Sequence, residues 1–158
     1  MDIIALSARR ALEYRTTQPV YAIRIFDHYD SDANPKDQIL TLPEHSIVTS
    51  YQFEEYEMDF YNRPETREKC GHKEIDEMQK LAFTKAIAQD IITHFTKNRA
   101  GRTELLVHCN AGLKRSPAVA QALNDLFSLS KEYEHEQSRK TFIYRIMMSE
   151  GLSIRKSF

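Results

Sequence analysis

Apolar residues along this chain alternate between short, dense runs and longer stretches where they recur with helical spacing. The runs at 3–6, 20–26, 47–53 and 105–108 have strand length and are rich in Ile, Val, Leu and aromatic residues. Between them the pattern changes. Ser7 precedes a helical pattern over 8–14 and is a natural N-cap for it. The clearest helix is predicted over 78–97, where Phe83, Ile87, Ile91 and Phe95 recur at four-residue spacing and Ala88 and Ile92 widen the stripe. Another is predicted over 116–127, and a last one over 136–150, with Phe142, Ile143, Ile146 and Met147 inward and Gly151 as terminator. A polar, acidic loop fills 27–37, and a short extension is expected at 39–42, before Pro43. Strands that alternate with helices imply an α/β fold: a mostly parallel central sheet of about four to five strands, with helices on both faces. In such sheets ligands bind at the carboxyl ends of the strands.

Length and composition narrow the picture. The 158 residues are read as a single domain over 1–158, interrupted by a polar segment at about 57–77 that reads as a loop or lid insertion. With 22 basic and 23 acidic residues the net charge is −1, and neither a basic arm nor an aromatic-basic stripe marks a dedicated nucleic-acid binder. No signal-peptide pattern or apolar run of transmembrane length is present, so no membrane association is expected. Two cysteines fit a reducing, cytoplasmic setting better than a disulfide scaffold, and a monomer is the default expectation. Cys70-Gly71-His72 has no second pair at ligand spacing, which argues against zinc; neither metal nor cofactor is expected.

The most informative stretch is His108-Cys109-Asn110-Ala111-Gly112-Leu113-Lys114-Arg115-Ser116-Pro117. It places a tight loop between a buried strand and a helix, so that free amides and the positive helix end converge on one spot. Such a loop binds an anion, and the amides of Asn110, Ala111, Gly112, Leu113, Lys114 and Arg115 are the expected cradle for a phosphate. Cysteine attacks as thiolate, and this setting favours the thiolate of Cys109. The planar fork of Arg115 can hold two phosphoryl oxygens as they spread in the transition state. Gly112 permits a backbone conformation closed to residues with a Cβ. Ser116 has two open roles, capping the helix or donating to the sulfur. Pro117 fits a first helical turn, and His108 orients the loop backbone.

At these residues the chain resembles the protein tyrosine phosphatase superfamily, in particular its small dual-specificity-like, microbial or phage members. The signature His-Cys-x-x-Gly-x-x-Arg-Ser is matched at every defined position. The resemblance implies a phosphomonoesterase that acts through a phosphocysteine on a phosphorylated protein or peptide. It also implies a general acid on the loop after the strand preceding the long helix. Phe53-Glu54-Glu55-Tyr56-Glu57 repeats, with glutamates, an aspartate-rich pattern of small relatives, which makes Glu55 the first candidate. Asp76, just ahead of the long helix, is the rival and reads equally as a helix N-cap; Asp59 is a third possibility. Cys70 is either a bystander thiol or a disulfide partner for Cys109, as in some cysteine phosphatases. Tyr51 reads as strand packing, whereas Tyr56 and Tyr61 are candidates to line the cleft. Two other readings stay open: an RNA 5′-phosphatase or phosphoinositide phosphatase, and a pseudophosphatase that binds phosphate without efficient turnover.

Overall fold

A computed structural model describes residues 1–28 and 38–156, without the side chain of Lys156. Four strands, β1 (Asp2–Ser7), β2 (Val20–Phe26), β3 (Ile47–Gln52) and β4 (Glu104–Cys109), form one sheet in the order β1-β4-β2-β3. Every pairing is parallel. The fold is α/β with a four-stranded, all-parallel sheet, as the alternating pattern predicts. β2 and β4 are central and buried along their whole length, which is why they read as largely apolar runs.

Alternate residues of the central strands enter different layers. Tyr21, Ile23, Ile25, Leu105 and Val107 face the larger core, with side chains from α5 (Lys85–Asn98), α6 (Arg115–Phe127) and α7 (Phe142–Lys156). Val20, Ala22 and Leu106 face a smaller layer that holds Ala11 of α1 (Ala8–Glu13) together with Leu40. Helices thus lie on both faces. The extension expected at 39–42 is not a strand; it is irregular chain whose Leu40 closes the second face. Most of the acidic loop predicted over 27–37, namely 29–37, lies outside the described residues.

Ser7 caps α1 through its hydroxyl, which accepts from Arg10 N at 3.3 Å. The helix expected over 78–97 is two helices. α4 (His72–Leu81) ends in extended backbone at Ala82, and Thr84 starts α5 by accepting from Ile87 N at 3.2 Å. The segment at 57–77 is not an open loop either: it forms α2 (Met58–Tyr61), α3 (Pro64–Cys70) and most of α4. Met58, Thr66 and Ile75 are its buried contacts. The last helix begins later than expected, at Phe142 after a 3-10 turn at Glu136–Lys140, and it passes through Gly151. Gly151 is buried against Leu126, where a Cβ would sit 2.5 Å from the leucine methyls, so its role is close packing, not termination. Among the described residues no helix is long and apolar enough to cross a membrane.

Candidate active site

β4 delivers Cys109 to the carboxyl edge of the sheet, and residues 110–114 turn the chain into α6. Two neighbours fix that turn. Ser7, at the end of β1, pairs in register with Cys109, and Ala8 N donates to Asn110 O at 3.1 Å. Gly112 has φ +73°, and a Cβ there would meet Ser7 N at 2.5 Å and the Leu6 carbonyl carbon at 2.7 Å. Only glycine serves this position, on both conformational and steric grounds.

The Cys109 sulfur is buried at the floor. It accepts from Gly112 N–H at 3.2 Å and lies 3.3 Å from the Ser116 hydroxyl, which also approaches Leu6 O at 3.4 Å. Of the two roles open for Ser116, the sulfur contact is the one formed, and α6 has no side-chain cap. The first-turn amides of α6 lack intrahelical acceptors and face the loop with the positive end of the helix dipole. His108 is 1 % exposed, and its Nε2 accepts from Arg24 Nε at 3.0 Å, which puts the proton of the neutral ring on Nδ1. Burial, reinforced by the Arg24 cation, pushes His108 down to about 4. A neutral, packed histidine suits an orienting role.

Arg115 is also buried, and its Nη1 is engaged from behind. It donates to Phe53 O at 2.9 Å, forms an ion pair with Asp27 Oδ1 at 2.6 Å, and lies 3.9 Å from Glu54 Oε2. Nε is buried with no hydrogen-bond partner among the described residues. These contacts hold the guanidinium in place. Glu54 is itself held, by His28 N at 2.9 Å, by the His28 ring at 3.4 Å, and through its own amide to Leu81 O at 2.8 Å.

Over the loop lies a cavity of about 410 Å³. Cys109, Asn110, Ala111, Leu113, Lys114 and Arg115 form its floor and near wall, and Asp27, Glu54, Glu55 and Tyr56 its far wall. Of the three acid candidates, only Glu55 is at this cavity. Asp76 is not a helix cap; it is inside α4, paired with Arg67 at 2.5 Å. Asp59 forms a two-pronged pair with Arg145, at 2.6 Å for each contact. Tyr51 donates to Asp90 at 2.7 Å, and Tyr61 packs against the core, which leaves Tyr56 as the tyrosine at the cleft. Cys70 and Cys109 are both free, and Cys70 is exposed at the end of α3.

Asp27, Glu54 and Arg24 were not singled out by sequence reasoning, and His28 reads from the sequence as an isolated surface or core histidine. Two of them carried a signal: Asp27 directly follows a parallel strand, where such sheets bind ligands, and Arg24 is a lone cation inside an apolar strand. Among the described residues no group of three or more His, Cys, Asp or Glu gathers as a metal site. No family model, curated protein or solved structure matches the chain. The resemblance expected from the sequence therefore rests on the residues of the loop alone.

Proposed function

We propose that this chain is a cysteine-dependent phosphomonoesterase of the tyrosine and dual-specificity type. One observation carries the reading: a buried cysteine, hydrogen-bonded by a loop amide and faced by a serine hydroxyl, shares a cavity with an anchored arginine. The loop amides and Arg115 bind the phosphoryl group. The Cys109 thiolate attacks phosphorus, the S–P bond forms, and the bond to the ester oxygen breaks. Glu55, an acid on the cavity wall, gives its proton to the departing oxygen. Water then attacks the phosphocysteine with Glu55 as base, and phosphate leaves. The Ser116 hydroxyl stabilises the sulfur as its bond to phosphorus breaks. Glu54 is occupied by His28 and lies beside Arg115, so it fits the task of holding the guanidinium.

Hydrolysis of a small aryl phosphate tests the reading, since its good leaving group needs little help from an acid. The wild-type protein is expected to turn it over without added metal. Cys109→Ser should abolish turnover and retain phosphopeptide binding, because serine fills the same space and stays protonated at neutral pH. Substantial turnover by purified Cys109→Ser, or turnover only on addition of a divalent metal, would overturn the covalent mechanism. Phosphopeptide binding by the wild-type protein without turnover would favour a phosphate-binding module.

A further inference from the structure

A second cavity, of about 430 Å³, opens beside the first, and the two share Leu113 and Lys114 as a wall. Its opposite side comes from the connection between α6 and α7, which supplies His135, Ser138, Lys140 and Thr141. Lys114 and Lys140 are exposed, and neither makes an ion pair among the described residues. The nearby arginines differ: Arg139 is bound by Asp125 and Glu134, and Arg145 by Asp59. Glu57 is the acid on this cavity wall, and its Oε2 accepts from Phe142 N at 2.8 Å, so its carboxylate serves the start of α7. The His135 ring is tied to the Ser138 hydroxyl at 2.7 Å. Lys114 and Lys140 against the single carboxylate of Glu57 leave this cavity lining with a net positive charge on a chain whose overall charge is −1. Leu113, 73 % exposed, stands between the cavities as an apolar ridge over which a peptide can lie.

We propose that this second cavity is a subsite for another anionic group on the same substrate. The group is a carboxylate or a second phosphate of a peptide whose phosphorylated residue enters the Cys109 cavity. The subsite rests on the phosphatase reading and narrows it to substrates with a second negative charge near the scissile phosphate. Lys140 belongs to this cavity and not to the first, so it separates the two roles.

The test compares kcat/KM for three phosphotyrosine peptides, with glutamate, glutamine or phosphoserine beside the phosphotyrosine, and for a small aryl phosphate. The glutamate and phosphoserine peptides should be favoured over the glutamine peptide by about 5- to 10-fold at low salt, mainly through KM, and the preference should shrink as salt rises. Lys140→Glu should remove it, and Lys140→Arg should keep it. Turnover of the aryl phosphate should be unchanged by either variant, which also verifies folding. A preference for the phosphoserine peptide alone supports the subsite with phosphate as its ligand; a preference for both supports it for carboxylates too. Equal values for the three peptides, or a preference that survives Lys140→Glu, overturn the subsite while aryl phosphate turnover preserves the phosphatase reading. No aryl phosphate turnover by the wild-type protein overturns both.

Discussion

His108 illustrates how much of the loop depends on single side chains behind it. It is buried one position before Cys109, accepts a hydrogen bond from Arg24, and lies edge-on to Phe26. Arg24 in turn stacks over the Phe26 ring, 4.8 Å from its centroid. Burial disfavours the charged ring and the Arg24 cation adds to that, so the His108 pKa falls from 6.5 to about 4. The unfolded chain therefore binds a proton at this residue between those values and the folded one does not. Stability is complete above about pH 6.5, declines as the pH falls toward 4, and changes no further on this account below that. The loss amounts to about 3 kcal/mol. Denaturant unfolding at about pH 7.5 and pH 4.5 measures it, with His108→Gln as the reference that cannot titrate. The wild-type protein should lose about 2 to 3 kcal/mol more than the variant over that interval, most of the full effect. Equal losses would remove His108 as the titrating group.

At the scale of elements, what was legible in the sequence follows from how local its cause is. β2 and β4 are buried on both faces, so their apolar runs marked them, and the turn from β4 into α6 is written in consecutive residues from His108 to Pro117. The helix predicted over 78–97 failed because apolar spacing continues across a break. Phe83 packs edge-on against Phe53 at 4.8 Å and so belongs to the same core as Ile87 and Ile91, although the backbone between α4 and α5 is extended. A bridge between Glu54 and Ala82 holds the chain extended there, and that pairing is invisible to periodicity. Asp27 and Glu54 escaped notice for the same reason: their meaning comes from Arg115, far away in sequence. Thr84 is the local mark of the break. Thr84→Ala should cost about 1 kcal/mol in thermal or denaturant unfolding, and Thr84→Ser should recover most of it. A neutral Thr84→Ala would mean that the extended bridge alone sets the start of α5.

Across the whole molecule, the order β1-β4-β2-β3 brings the carboxyl ends of all four strands to one edge, and each end contributes something different. β1 backs the loop through Ser7, β4 supplies Cys109, β2 leads into Asp27 beside Arg115, and β3 leads into Glu54 and Glu55. In the proposed mechanism this convergence divides two adjacent glutamates between two tasks. Glu54 is anchored to His28 and Leu81 and lies beside Arg115; Glu55 is exposed on the cavity wall. Proton donation requires a group that can follow the leaving oxygen, and support of an arginine requires one that does not move. Glu55→Gln should therefore lower turnover of a tyrosyl or alkyl phosphate by ~10²–10⁴-fold and matter far less for an activated aryl phosphate. The basic limb of its pH profile should flatten. Glu54→Gln should weaken both substrates by a similar factor and raise KM, because a less firmly held Arg115 binds every phosphoryl group less well. Steady-state kinetics of both variants on both substrates decide the matter. A selective loss for the poor leaving group in Glu54→Gln, with none in Glu55→Gln, would reverse the assignment. A selective loss in neither variant would remove both glutamates as the proton donor and leave Asp27, the other acid on this wall, as the next residue to substitute.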